Sequence, residues 1–125
     1  MQRLNSEQAP KALGPYSQGM MTGGNIVFLS GQLGIDPATN QLQEGVEAQA
    51  KQSLENIQNI LGTIGLTLEN ALKVTVFLKD LDNFSVVNDI YASYFQEPYP
   101  ARSCVQVAKL PADALVEIEV IAEKA

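Results

Sequence analysis

Residues 72–79 read Leu-Lys-Val-Thr-Val-Phe-Leu-Lys, and the fold turns on this octapeptide. Leu72, Val74, Val76 and Leu78 alternate with Lys73, Thr75, Phe77 and Lys79, a period of two that marks a strand with one apolar face. Upstream the period differs. Val46, Ala50, Leu54, Ile57, Leu61 and Ile64 recur at three and four residues, which predicts an amphipathic helix of about five turns. Gly65 supplies its C-terminal stop. Downstream, Asp80 or Asp82 caps a second helix with Phe84, Val87, Ile90, Tyr91, Tyr94 and Phe95 on its inner face, ended by Pro98 and Pro100. Residues 102–109 and 115–122 then read as strands around the turn Leu110-Pro111-Ala112-Asp113.

Before the first helix, Gly14-Pro15 signals a turn and residues 16–22 a short strand. Gly23-Gly24-Asn25 is a three-residue hairpin loop, across which residues 26–32 pair back. Residues 36–40 form another turn cluster. The order is ββαβαββ, an α+β domain with a mixed sheet and two helices on one face. The other face keeps apolar positions from several strands, which predicts an oligomer in which a partner subunit covers it. No repeat, low-complexity tract or linker divides the chain, so residues 1–125 are expected to form a single domain.

Composition narrows the chemistry. The chain has 125 residues, 46% of them hydrophobic, and carries 8 basic against 14 acidic side chains for a net charge of −6. That balance argues against nucleic acid and against an anionic membrane surface. The longest apolar run, residues 26–29, is far short of the roughly 20 residues that span a bilayer, and no signal-peptide core opens the chain. One cysteine makes no internal disulfide, so a reducing, cytoplasmic setting is expected. There is no histidine, which removes His metal sites, Ser-His-Asp triads and Cys-His pairs. Glycine-rich nucleotide motifs are absent as well. Any catalysis must use carboxylates, arginine, tyrosine, hydroxyls, backbone groups and water.

Only Arg3 and Arg102 are arginines, and Arg3 lies in the expected tail. Arg102 opens an apolar strand, with Cys104 on its face and Ser103 and Val105 on the other. A cation there is either held in a structural ion pair, extended to water, or waiting for a ligand; its planar fork suits a carboxylate. In Leu115-Val116-Glu117-Ile118-Glu119-Val120 the two glutamates share one face, which is either a solvated side or a reactive one. Were this strand paired with that of Arg102, a glutamate would face the arginine: one group to hold an acid, one to handle a water. Tyr16, Ser30 and Gly31 read as hairpin and turn residues or as pocket lining. Asn88 reads as a satisfied amide or a ligand group, and Cys104 as a small buried apolar residue or a reactive one.

These motifs resemble the Rid family of reactive-intermediate (enamine/imine) deaminases, and most closely its RidA subgroup. The resemblance runs from about Ala9 to Ala122. It is carried by Gly14-Pro15-Tyr16-Ser17-Gln18-Gly19, Ser30-Gly31-Gln32, residues 74–80, Val87-Asn88 with Tyr91, Pro100-Ala101-Arg102-Ser103-Cys104-Val105, Leu110-Pro111 and Val116-Glu117-Ile118-Glu119. It implies a chorismate-mutase-like fold and a homotrimer with clefts between subunits. It also implies hydrolysis of 2-iminopropanoate and 2-iminobutanoate, formed from enamines released by pyridoxal-phosphate dehydratases, to 2-oxo acids and ammonia. Neither cofactor nor metal is implied. Carried onto this sequence, Arg102 clamps the substrate carboxylate and Glu117 orients the attacking water and assists proton transfer. Ser30 and the backbone of Gly31 and Cys104 line the pocket, Tyr16 closes it from the adjoining subunit, and Asn88 shapes it. One extra residue in the Gly23-Gly24-Asn25 turn and a short Gln96-Glu97-Pro98-Tyr99 loop depart from some members and bear on the cleft rim. The readings in competition are a trimeric 2-oxo-acid-binding regulator, an RNA-directed role and a chaperone-like surface.

Overall fold

The computed structural model describes residues 2–12 and 14–124. The strands are β1 (Gln2–Leu4), β2 (Gly19–Met21), β3 (Ile26–Leu29), β4 (Gln32–Leu33), β5 (Ile35–Asp36), β6 (Gln41–Leu42), β7 (Ala71–Leu78), β8 (Ala101–Gln106) and β9 (Val116–Glu123). The helices are α1 (Val46–Gly62), after β6, and α2 (Phe84–Tyr94), after β7. The main sheet runs β1-β2-β3-β9-β7-β8, with β4 also on β9, and β5 and β6 form a separate ribbon. Strands β7 and β8 are parallel, as a strand–helix–strand crossover through α2 requires, and the other pairs are antiparallel.

The predicted helices form where the periodicity puts them. The apolar stripe of α1, from Ala50 through Leu61, is buried against Val74, Val76 and Leu78 of β7 and Val116, Ile118 and Val120 of β9. The helix ends in a Schellman turn: Gly65 has φ 75°, its N–H donates to the Gly62 carbonyl, and the Leu66 N–H to that of Leu61. The carboxylate of Asp80 accepts from the Asp82 N–H and opens a short 3₁₀ turn that leads into α2. No helix among the described residues is long and apolar enough to cross a membrane.

Four expectations need correction. Leu72 does not lie on the inner face: a bulge between Ala71 and Lys73 shifts the register and turns Leu72 outward. Residues 16–18 are not strand, because Gln18 folds its buried amide onto the N-terminal segment. It accepts from the Ser6 N–H and donates to the Ser6 and Pro10 carbonyls. Residues 26–32 are not one strand but two short ones, broken at Ser30-Gly31. Finally, β9 does not pair with the strand of Arg102; β7 lies between them. The strand β1 and the β5–β6 ribbon were not anticipated.

The face away from the helices stays open. Phe28 and Val105 are exposed on it, beside half-buried Met20, Phe77 and Ile121.

Candidate functional site

The break between β3 and β4 builds half of the site. The Ser30 N–H donates to the Gln18 carbonyl and its hydroxyl to the Ser17 carbonyl, so the strand end is tied to the segment carrying Tyr16. Gly31 then passes directly under Glu117. A β-carbon at position 31 would stand 2.9 Å from Glu117 Cδ and 3.2 Å from its Oε1. Only a residue without a side chain allows this approach. Tyr16, Ser30, Gly31, Glu117 and Glu119 line one cavity of about 690 Å³.

Inside this cavity the Glu117 carboxyl titrates above the usual carboxylate range. Burial is the main cause and the like charge of Glu119 adds to it. The raised pKa brings the carboxylate nearer to neutrality, where a general base works best.

Arg102 lies elsewhere. It is opposite Val74 in the β7–β8 register, which puts it on the helix-covered side, while Glu117 is opposite Phe77 on the open side. Two strand spacings and three residues of register separate them, on the order of 14 Å of backbone, on opposite faces. The arginine nevertheless is not adrift. Nη1 donates to Asn88 Oδ1 at 2.9 Å. The guanidinium carbon stands 4.6 Å from the Tyr91 ring centroid and 5.5 Å from that of Phe84. Among the described residues it has no carboxylate partner. Arg102, Asn88, Tyr91, Ala92, Tyr99 and Pro100 line a second cavity of about 460 Å³.

Cys104 sits two residues along β8 on the Arg102 side, half-buried against the core, and burial pushes its thiol pKa up. It is a poor nucleophile there. Of the predicted set, the structure gathers Tyr16, Ser30, Gly31 and Glu117 in one place and Asn88 and Arg102 in another. One chain alone does not bring the halves together. Among the described residues no three His, Cys, Asp or Glu side chains converge to hold a metal.

Two groups of residues escaped the sequence reading. Phe84 and Tyr91 read only as core; Tyr91 is buried there but Phe84 is exposed, and Phe84, Asn88 and Tyr91, at i, i+4 and i+7, share the stripe facing Arg102. Gln49, Ser53 and Asn56 lie outside the apolar stripe predicted for α1, yet all three are buried. Ser53 donates to the Gln32 carbonyl, Asn56 to those of Leu33 and Ile35, and Gln49 accepts from the Leu115 N–H. Ser53 and Asn56 fasten the segment after Gly31 to α1, and Gln49 fastens the residue before β9. The signal was present in Gly34, where a β-carbon would stand 2.4 Å from Gln49 Cα, so only glycine lets this segment lie so close to α1.

The family model described as Endoribonuclease L-PSP matches residues 6–124. The 2-iminobutanoate/2-iminopropanoate deaminase of Salmonella typhimurium is 49% identical over 122 residues, covering 95% of this chain and 94% of its own. The crystal structure of RidA from an Antarctic Psychrobacter superposes with a TM-score of 0.96 at 46% identity, over 99% of this chain and 100% of that one. Escherichia coli TdcF with bound serine superposes with a TM-score of 0.94 at 42% identity, over all of both chains.

Proposed function

This chain belongs to the endoribonuclease L-PSP family, the Rid family whose motifs it carries, and on that premise we propose that it is a 2-iminobutanoate/2-iminopropanoate deaminase. The observation that carries the reading is the state of Arg102. A guanidinium steadied by an amide and two aromatic rings, with no carboxylate among the described residues beside it, keeps its planar fork for an organic acid.

The chemistry asks little more. The iminium carbon of a 2-imino acid is already electrophilic. In the proposed reaction Arg102 fixes the carboxylate, and Glu117 takes a proton from the attacking water. A C–O bond forms, Glu117 passes that proton to the nitrogen, and the C–N bond breaks as the Glu117 carboxylate takes the remaining hydroxyl proton, releasing ammonia and a 2-oxo acid. A positioned acid–base group contributes about 10²–10⁴-fold, and alignment by the arginine adds to it. Ser30, Gly31, the Cys104 backbone and Asn88 line and shape this pocket, and Tyr16 closes it. No cofactor takes part.

The two half-sites call for a homotrimer in which one subunit's Arg102 meets the Glu117 cavity of its neighbour. Two features support it: the exposed Phe28 and Val105 on the uncovered sheet face, and Arg102 on the edge strand β8. The single cysteine and the acidic net charge suit a cytoplasmic enzyme acting on a small metabolite rather than on RNA.

Coupling the protein to a threonine dehydratase and following 2-oxobutanoate tests the reading. Acceleration by the parent protein, lost by about 10²-fold in Arg102→Lys, is expected, because a point charge does not replace the fork. Binding of 2-oxobutanoate without acceleration would favour the regulatory alternative, and salt-sensitive RNA binding a nucleic-acid one.

A further inference from the structure

Tyr91 is buried, with 6% of its surface exposed. Its ring stacks on Phe95 with centroids 4.3 Å apart and planes 24° from parallel, so its orientation is set by the core. Its hydroxyl is buried with no hydrogen-bond partner among the described residues. The aromatic face is turned to the Arg102 guanidinium.

The contact has a property that an ion pair lacks. A carboxylate partner would occupy the two parallel N–H groups that recognise a ligand acid. An aromatic face attracts the cation through its quadrupole and leaves those groups unused. Asn88 accepts from Nη1 alone, and a guanidinium has five N–H donors. An unrestrained arginine also loses rotamer freedom when a ligand fixes it, and a ring that holds it beforehand removes part of that loss.

We propose that Tyr91, backed by Phe95 and assisted by Phe84, is the positioning residue for Arg102: its ring holds the guanidinium plane in place so that the fork faces the carboxylate of a 2-imino or 2-oxo acid. The inference rests on the deaminase reading above. It makes the ring essential and the hydroxyl dispensable.

The test is the affinity for 2-oxobutanoate by calorimetry, with Tm measured alongside, for the parent and four variants. Tyr91→Phe keeps the face and should bind within about twofold of the parent. Tyr91→Leu should bind about tenfold more weakly, and Phe84→Leu, at the more distant ring, about threefold. Val27→Ala truncates a buried residue of β3, a strand that pairs with β2 and β9 and not with β8; it should lower Tm and leave affinity within about twofold. The inference is overturned if Tyr91→Leu binds like the parent, or if Val27→Ala weakens binding as much. Should Tyr91→Leu fail to fold, an unchanged affinity in Phe84→Leu overturns it instead. A parent that does not bind 2-oxobutanoate sinks the deaminase reading, whereas a parent that binds, with variants that bind equally, sinks only the role of the ring.

Discussion

Replacing Gly31 by alanine adds one carbon whose neighbours are set by the backbone. It would lie 2.9 Å from Glu117 Cδ, 3.1 Å from Cγ and 3.2 Å from Oε1. Carbon atoms in contact rest at about 3.5–4.0 Å, so something must yield by roughly 0.6–1 Å. The obstacle is the outer half of a glutamate side chain beside a cavity, so the carboxylate swings aside and the fold survives. Overpacking of this kind costs at most about 1–3 kcal/mol, and an escape route into open space puts it at the lower end, a Tm loss of a few degrees. The catalytic effect should be larger. A displacement of about 1 Å in a reacting group is enough to lose on the order of 10²-fold. Gly34→Ala provides the contrast three residues on: its β-carbon would meet Gln49 Cα at 2.4 Å and Gln49 O at 2.5 Å, backbone atoms that have nowhere to go. We expect Gly31→Ala to be folded and slowed about 10²-fold in the dehydratase-coupled assay, and Gly34→Ala to yield little folded protein. A folded Gly31→Ala enzyme with kcat/KM within about threefold of the parent would refute the assignment of water handling to the Glu117 carboxylate.

Two further outcomes follow from the same geometry. The Glu119 charge helps to raise the Glu117 pKa, and the base is lost as pH falls through that raised value. Glu119→Gln therefore lowers the Glu117 pKa and moves the acid limb of the kcat/KM profile to lower pH with the plateau kept; a limb that stays put would mean that Glu117 is not the titrating base. Asn56→Ala leaves the Leu33 and Ile35 carbonyls without their donor, at about 1–3 kcal/mol for each buried group left unpaired. Thermal melts should show a fall on the order of 10 °C, while Asn59→Ala, whose amide reaches the Gln8 carbonyl at the surface, should melt within a few degrees of the parent.

The helices and the central strand were legible because each buries a face whose period is written in side-chain polarity. Ala50, Leu54, Ile57 and Leu61 have one reading, and so do Val74, Val76 and Leu78. Short strands were not: β1 and the β5–β6 ribbon span two or three residues each, too few for a period to repeat. Leu72 misled for a related reason, since a bulge changes the face of every residue before it and leaves no mark in polarity. The polar residues Gln18, Gln49, Ser53 and Asn56 were hidden more deeply. Their burial is favourable only because particular backbone carbonyls and N–H groups meet them, and those partners come from 8 to 66 residues away in sequence.

The relation between Arg102 and Glu117 lies at the limit of what alternation can say. Alternation correctly placed Arg102 with Cys104 on one face and Glu117 with Glu119 on one face, but it assigns faces within a strand and not between strands. Pairing order decides the rest, and here β7 comes between β8 and β9. Neighbours in sequence across the residue 110–113 turn are therefore not neighbours in the sheet. A parallel β7–β8 pair needs α2 as its crossover, so Arg102 is delivered to the helix side, against Asn88 and Tyr91, while Glu117 stays with Gly31 on the open side. The same crossover puts Arg102 on a strand with one free edge, where a second copy can approach. The topology that separates the two groups within one chain is thus also what makes each available to a neighbour, and the inter-subunit site proposed above is an arrangement in which both half-sites are used.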